Sequence, residues 1–532
     1  MNATEMLKKG LKKEIWKKYC GFLDLSMDEF MYIQEHLLME QIQRIAGNEI
    51  GKYFLGERVP RSLEEFRLQV PITTYDNYEQ FFGPENRQYP DTYCWAHTSG
   101  RSGKFKWVPY TRQAYQKMGE RIFSQLLLGA ARERGDINLK SGDVLVYNTP
   151  PRPFISGHAL LAAGEEFNFQ FVPPMDITED LGFQERIVVG FNTAMETGID
   201  VLGSMSSVLV KMGESFSKGA TSGGFSKRML KPRTLFRLSR GYLRSKREGR
   251  SILPRDLWKV KTVTCAGADS VIYRDKIIHY WGVPPYESYG CTEEGVIATQ
   301  GWNQKGLTFM PSAAFFEFIP EEEWAKWRHD PLYVPQTVLY NEVVPNKRYE
   351  VVITNFYGKP FLRYRTYDVV HFPEMEDRET GVRLPQMRFV SRATDFIDLA
   401  GWTGLIDERM VWQAIINTTI DYADWTIRKE VESNEPYLRL YIEPVNGVSC
   451  EMIREKVNTE LKRLNPFYAD YESMIEKRAL EVTTLFPGTF QKYMLEKQRA
   501  GADLAHLKPA HMNTTQDAVE LLLRCSKQSQ LN

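Results

Sequence analysis

The chain has 532 residues, enough for two or more domains, and its 68 Lys+Arg offset its 68 Asp+Glu to a net charge of zero. That balance gives no global case for a nucleic-acid partner, and no apolar run approaches the length of a membrane span, so stable membrane insertion is not expected. The six cysteines form no Cys-x-x-Cys pair, the eight histidines form no His-Glu-x-x-His pattern, and the lysine-rich start lacks a secretory core; a cytoplasmic location without metal ribbons or disulfides is expected.

Residues 4–46 read as helix. Leu7, Leu11, Ile15 and Trp16 share one face, and Lys8, Lys9, Lys12, Lys13, Lys17 and Lys18 decorate the rest. Residues 66–82 read as a connection, followed by a short apolar segment at 93–96. Next comes His97-Thr-Ser-Gly-Arg-Ser-Gly-Lys-Phe-Lys106. Glycine lets backbone N–H groups approach a ligand closely, and successive N–H groups make an anion-binding concavity. Thr98, Ser99 and Ser102 add hydroxyl donors, and Arg101, Lys104 and Lys106 add positive charge. A triphosphate suits such a loop, although the spacing is not that of a Walker A motif. Alone, the segment reads equally well as a solvated Gly/Ser turn.

Residues 143–148 read as a buried strand, 154–167 as helix and 168–173 as a second strand, a β-α-β unit. Residues 183–216 read as mostly helical, interrupted at Gly203 and Gly213. The stretch 226–250 is strongly basic, suited to an anionic partner or to the wet side of a surface helix. Residues 259–265 read as strand, 266–268 as a tight turn, 270–281 as helix and 285–289 as strand. Sheets of this kind bind ligands beyond the carboxyl ends of their strands, where Gly267 and Tyr289-Gly-Cys-Thr-Glu-Glu-Gly295 then lie. Residues 315–320 and 349–355 look like strands of a more antiparallel section, followed by Phe361-Leu-Arg-Tyr-Arg-Thr-Tyr-Asp368. From about residue 398 the texture changes to a small α+β domain. It has a hairpin of 426–431 with 437–443 and helices at 449–464, 489–499 and 515–525.

The order Thr98–Lys104, Gly267, Tyr289–Glu293, Arg365–Asp368 and Arg392–Asp398 resembles that of the adenylate-forming superfamily, whose members activate a carboxylate with ATP. Within it the chain resembles the GH3 family of acyl acid–amido synthetases, in a prokaryotic-type form. The resemblance rests on Phe315-Phe-Glu-Phe-Ile-Pro320, Leu362-Arg-Tyr-Arg365, Val390-Ser-Arg392 and Pro487-Gly-Thr-Phe490, and covers about residues 65–510. It implies an α/β fold: a large N-terminal adenylate-forming domain (1–397) with mixed β-sheets and packed helices, plus a small mobile α+β C-terminal domain (398–532). It implies ATP and Mg²⁺ as cofactors, and a small-molecule carboxylic acid and an amine or thiol acceptor as partners, in a monomer or homodimer.

By position, Thr98, Ser99, Gly100, Arg101, Ser102 and Gly103 correspond to the family's phosphate loop. Tyr289 corresponds to the residue against adenine, with Gly267 and Thr292 among the nucleotide contacts and Glu293 at Mg²⁺. Asp368 corresponds to the ribose carboxylate, Arg392 to a residue near the ribose, and Lys508 to the lysine bridging carboxylate and α-phosphate. Cys291 reads as a small buried residue rather than a nucleophile. The chain departs from the family at Tyr367, where a glycine usually precedes the ribose aspartate, and at Lys508-Pro-Ala510, which lacks the usual arginine. Three functions fit: an amide-forming ligase, a thioester-forming ligase using coenzyme A or a carrier thiol, and a non-catalytic relative.

Overall fold

The computed structural model describes every residue except 83–88, 98–105, 222–230, 267–269, 331, 394–395, 398, 400–405, 433–434, 466–467, 470–471, 473–477, 500–509 and 531–532. Its strands in chain order are β1 (Thr92–His97), β2 (Trp107–Thr111), β3 (Val144–Tyr147), β4 (Gln170–Val172), β5 (Val201–Met205), β6 (Thr262–Ala266), β7 (Pro285–Cys291), β8 (Gly295–Gln300) and β9 (Leu307–Phe309). They continue as β10 (Ala314–Pro320), β11 (Val338–Leu339), β12 (Arg348–Asn355), β13 (Tyr364–Glu374), β14 (Gln386–Arg392), β15 (Tyr422–Glu432), β16 (Glu435–Pro444) and β17 (Leu480–Thr484). The chain forms two compact units. The described residues through Thr366, with Val370–Phe389, make the first; Tyr367–Val369 and the described chain from Val390 onward make the second.

A mixed sheet in the order β11-β10-β12-β13-β14-β9-β8-β7-β6-β5-β3-β4 runs through the first unit. The run β4-β3-β5-β6-β7 is parallel, and β7-β8-β9 and β11-β10-β12 are antiparallel. A parallel strand covered on both faces needs apolar residues at every position, not at alternate ones. In β3, Leu145 and Tyr147 enter one core while Val144 and Val146 enter another, as the two-residue period of a strand requires. The expected β-α-β unit is present, with helix Ile155–Glu166 between parallel strands β3 and β4.

Three expectations are corrected. The single helix over 4–46 is three helices, Ala3–Lys8, Lys12–Cys20 and Met27–Ile45. Gly10 takes φ +73°, and Ser26 caps the third helix by accepting from the Glu29 N–H at 3.2 Å while Glu29 accepts from the Ser26 N–H at 2.7 Å. The helical reading of 183–216 conceals β5, which parts helices Phe183–Thr197 and Ser206–Thr221. Gly203, read as a helix interruption, lies in that strand, where a Cβ would stand 3.3 Å from Thr264 Oγ1. The connection at 66–82 overlaps the end of helix Leu63–Gln69 and contains two short helical turns.

The second unit carries a three-stranded sheet, β15-β16-β17, with an antiparallel hairpin and a parallel third strand. Helices Glu408–Asn417 and Cys450–Leu464 cover Trp425, Ile427, Leu438 and Leu440 in one core. Helices Thr489–Arg499 and Gln516–Gln530 close a smaller core around Tyr441 and Phe490. Among the described residues, no helix is long and apolar enough to cross a membrane.

Candidate functional site

Within the first unit, the turn from β7 to β8 carries the segment singled out in the sequence. Gly290 is required there by close approach: a Cβ would lie 2.3 Å from the Gly295 carbonyl oxygen. Gly295 takes φ +80°, open to glycine at no steric cost. Pairing shifts register between Tyr289 and Gly290, a bulge that redirects the strand end. Side chains from other elements then hold the turn's backbone. Tyr110 donates its hydroxyl to the Thr292 carbonyl at 2.7 Å, and Asn355 Nδ2 donates to the Glu293 carbonyl at 3.2 Å. Lys359 Nζ donates to the same Glu293 carbonyl.

The two adjacent carboxylates have different surroundings. Glu294 is fully buried and saturated: Arg121 lies at 2.9 Å, Lys359 at 2.9 Å and Asn355 Nδ2 at 2.6 Å. Burial pushes the Lys359 amine below its usual range, while the Glu294 carboxylate opposes that shift. Lys359 also sits 4.0 Å from the Tyr110 ring centroid. Glu294 is therefore the anchor of this turn. Glu293, 8% exposed, accepts the Tyr364 hydroxyl on Oε1 at 2.7 Å. Tyr289 is buried, edge-on to Phe309 (6.3 Å) and tilted against Phe389 (6.2 Å), so one side of its ring serves the core. Cys291 is half-buried.

Within the second unit, two further residues from the sequence meet each other. Arg392 Nε donates to Asp368 Oδ1 at 3.1 Å, with Asp368 buried and Arg392 exposed. Tyr367, standing where the family usually has glycine, takes φ +63°. The backbone there adopts the left-handed region that explains a glycine preference, and the tyrosine accepts it.

The motif Leu362-Arg-Tyr-Arg365 divides its labour. Arg363 forks onto Glu317 at 2.9 and 3.0 Å and donates to the Arg67 and Val70 carbonyls. Glu317, the acid of Phe-Phe-Glu-Phe-Ile-Pro, is buried and also accepts from Thr337 Oγ1 at 2.6 Å. Arg365 pairs with Glu350 at 2.5 Å. Both arginines are thus structural, and Tyr364 between them reaches Glu293. Tyr364 lies inside Leu362-Arg-Tyr-Arg365, whereas Lys359, Asn355, Tyr110 and Arg121 carry no local sequence signal.

Thr98, Ser99, Gly100, Arg101, Ser102, Gly103, Gly267 and Lys508 lie outside the described residues. Their flanks are placed: His97 pairs with Trp107 across the β1–β2 hairpin that brackets the glycine loop, and β6 ends at Ala266. Parallel pairing of β6 with β7 puts both carboxyl ends at one sheet edge.

Comparison with known proteins agrees with this architecture. The model of the GH3 family N-terminal domain matches residues 20–150, and that of the GH3 family central domain matches residues 307–392. No functionally curated sequence matches the chain. The solved structure of AtGH3.15 acyl acid amido synthetase in complex with 2,4-DB is similar in fold, with TM-score 0.67 and 17% identity over 94% of this chain and 95% of that one. A 2-hydroxyisobutyryl-CoA ligase in the postadenylation state, with R3-HIB-AMP, has TM-score 0.55 and 13% identity over 100% of this chain and 94% of that one. The chain thus carries matches to the N-terminal and central domains of the GH3 family, in that order, on a fold similar to that of a GH3 acyl acid amido synthetase.

Proposed function

We propose that the chain is an ATP-dependent, AMP-forming acid–amine ligase. It joins a carboxylic acid to AMP with release of pyrophosphate, then passes the acyl group to an amino acid or another amine. The matches to two GH3 family domains carry this reading, and the turn presenting Glu293 supports it. A carboxylate is a poor acyl donor because oxide is a poor leaving group; an adenylate leaves readily. The acid's oxygen attacks the α-phosphorus and the bond to pyrophosphate breaks. The amine then adds to the acyl carbonyl, loses a proton and expels AMP.

The donor set fits Mg²⁺ bound through ATP. Magnesium uses one or two carboxylates and fills its shell with phosphate oxygens and water. Glu294 is spent on Arg121 and Lys359, leaving Glu293 as the carboxylate of this turn for the ion. When bound, Mg²⁺ neutralises charge on the phosphoryl oxygens. In this reading Asp368 accepts from the ribose hydroxyls with Arg392 beside it, and Tyr289 lies against adenine. Thr292 and Gly267 complete the nucleotide contacts, and the loop Thr98–Gly103 holds the β- and γ-phosphates. Lys508 bridges the acid and the α-phosphate. Residues 1–397 bind ATP and acid, and residues 398–532 exchange position between the two half-reactions. The partners are small molecules, and a cytoplasmic monomer or homodimer suffices.

Incubation with Mg·ATP, a panel of carboxylic acids and either amino acids or coenzyme A tests the acceptor. The reading predicts an amide and AMP with an amine. Thioester formation with coenzyme A and no amide with any amine would assign the chain to the thioester-forming reaction instead.

A further inference from the structure

Helix Pro232–Arg247 buries the wrong side for an ordinary surface helix. Its buried positions are Thr234, Gly241 and Ser245, small residues that bring the helix backbone close to the body of the first unit. A Cβ on Gly241 would lie 2.7 Å from Leu257 Cδ2. Thr234 Oγ1 donates to the Met195 carbonyl at 3.1 Å, and Arg237 donates to the Met195, Glu196 and Thr197 carbonyls at 2.9, 3.0 and 3.1 Å. The seating is therefore specific. It leaves Leu235, Phe236, Tyr242 and Leu243 exposed, at 44, 68, 56 and 59% of their surface. Their spacing of i, i+1, i+7 and i+8 puts them on one stripe.

The helix holds six basic residues and no acidic one. Arg237 and Arg240 are spent on backbone carbonyls, and Arg244 faces Glu248 and Asp256. Arg233, Lys246 and Arg247 remain exposed, with no ion pair among the described residues, and they border the apolar stripe. An apolar stripe rimmed by exposed cations matches the interface of an anionic bilayer, where rings and aliphatic groups enter the acyl boundary and cations meet lipid phosphates. A second copy of the same face would oppose like charges, and a nucleic acid would leave Leu235, Phe236 and Leu243 unused.

We propose that helix Pro232–Arg247 is a reversible attachment surface for anionic phospholipid membranes, with Phe236 and Leu243 inserting and Arg233 and Arg247 contacting phosphate. Flotation of the full chain at low salt tests this. Vesicles of phosphatidylcholine mixed equally with phosphatidylglycerol are compared with phosphatidylcholine alone. The chain should float with the mixed vesicles only, and added salt should release it. The pair Phe236→Ser, Leu243→Ser and the pair Arg233→Glu, Arg247→Glu should each lower binding by at least about tenfold. All four sites are exposed, so both variants should keep the melting temperature; if one fails to fold, the other decides. Absence of the full chain from the mixed vesicles overturns the proposal. So does undiminished binding by either folded variant. Undiminished binding by the serine pair, with equal retention on polyglutamate or duplex DNA, would make the face an ionic patch rather than a lipid surface.

Discussion

Asp368 and Glu317 are both buried carboxylates paired with arginine, yet they stand in different settings. Asp368 meets the exposed Arg392 at 3.1 Å, whereas Glu317 meets the buried Arg363 and also Arg67 and Thr337. Removing the first should affect ligand binding, and removing charge from the second should affect the fold. Asp368→Ala should weaken Mg·ATP binding by at least about tenfold, because charge-assisted hydrogen bonds to the ribose are worth roughly 1.5–3 kcal/mol each. Calorimetric titration checks this, with an unchanged melting curve as control. Glu317→Gln should cost about 3–5 kcal/mol of stability, because it leaves the Arg363 guanidinium buried without its counter-charge. A denaturant midpoint unchanged from the parent would show that Arg363 finds another partner. At this scale the sequence was informative about which residues matter and silent about why. The acid of Phe-Phe-Glu-Phe-Ile-Pro marks the family, but it acts by holding an arginine whose backbone takes φ +43°.

The β7–β8 turn shows how elements present a side chain. Its backbone is fixed from β2 by Tyr110, from β12 by Asn355 and from the following loop by Lys359, while β13 supplies Tyr364. Glu293→Gln keeps the shape and removes the charge. It should slow adenylation, and the defect should shrink as magnesium is raised. Rates measured across a magnesium series check this; a defect constant at every concentration would place the ligand elsewhere. Local sequence could find the turn, since its glycines and acids are contiguous. It could not find the props, which come from positions up to 182 residues away (Tyr110 to Thr292) and become visible only once the strands pair.

Another element-scale contact lies within the second unit and ties the chain after Lys508 to the helix and strand before it. His511 accepts no solvent role: its Nδ1 lies 2.5 Å from Glu408 and its Nε2 2.8 Å from Asp424, with the Trp425 ring stacked at 4.5 Å. Burial opposes its charge, but Asp424 and Glu408 outweigh burial and push its pKa up to about 9. An imidazolium favoured by folding contributes stability fully below its unfolded pKa of about 6.5 and loses it as pH rises through about 9. The loss should approach about 3 kcal/mol across that window. Denaturant melts at stepped pH check it, and His511→Gln should flatten this part of the profile.

Across the whole molecule, periodicity and punctuation made the long elements legible. Helix Ser270–Trp281 and helix Thr489–Arg499 stand at the residues their sequences indicate. Short strands were harder, because a strand of five residues inside an apolar stretch has the same local texture as helix. Thus β5 was absorbed into a helical reading, and β2 and β17 passed unnoticed. Their identity comes from sheet neighbours, β6 for β5 and β16 for β17, far away in sequence. The order of the chemical motifs survived these errors because it does not depend on element boundaries.

The central claim is that this fold activates a carboxylic acid with ATP. Acid-dependent exchange of labelled pyrophosphate into ATP measures that step alone, without any acceptor. The account predicts exchange that requires magnesium, responds to the acid chosen and falls sharply in Asp368→Ala and Glu293→Gln. A folded chain that binds Mg·ATP yet supports no exchange with any acid in a broad aliphatic and aromatic panel would contradict it.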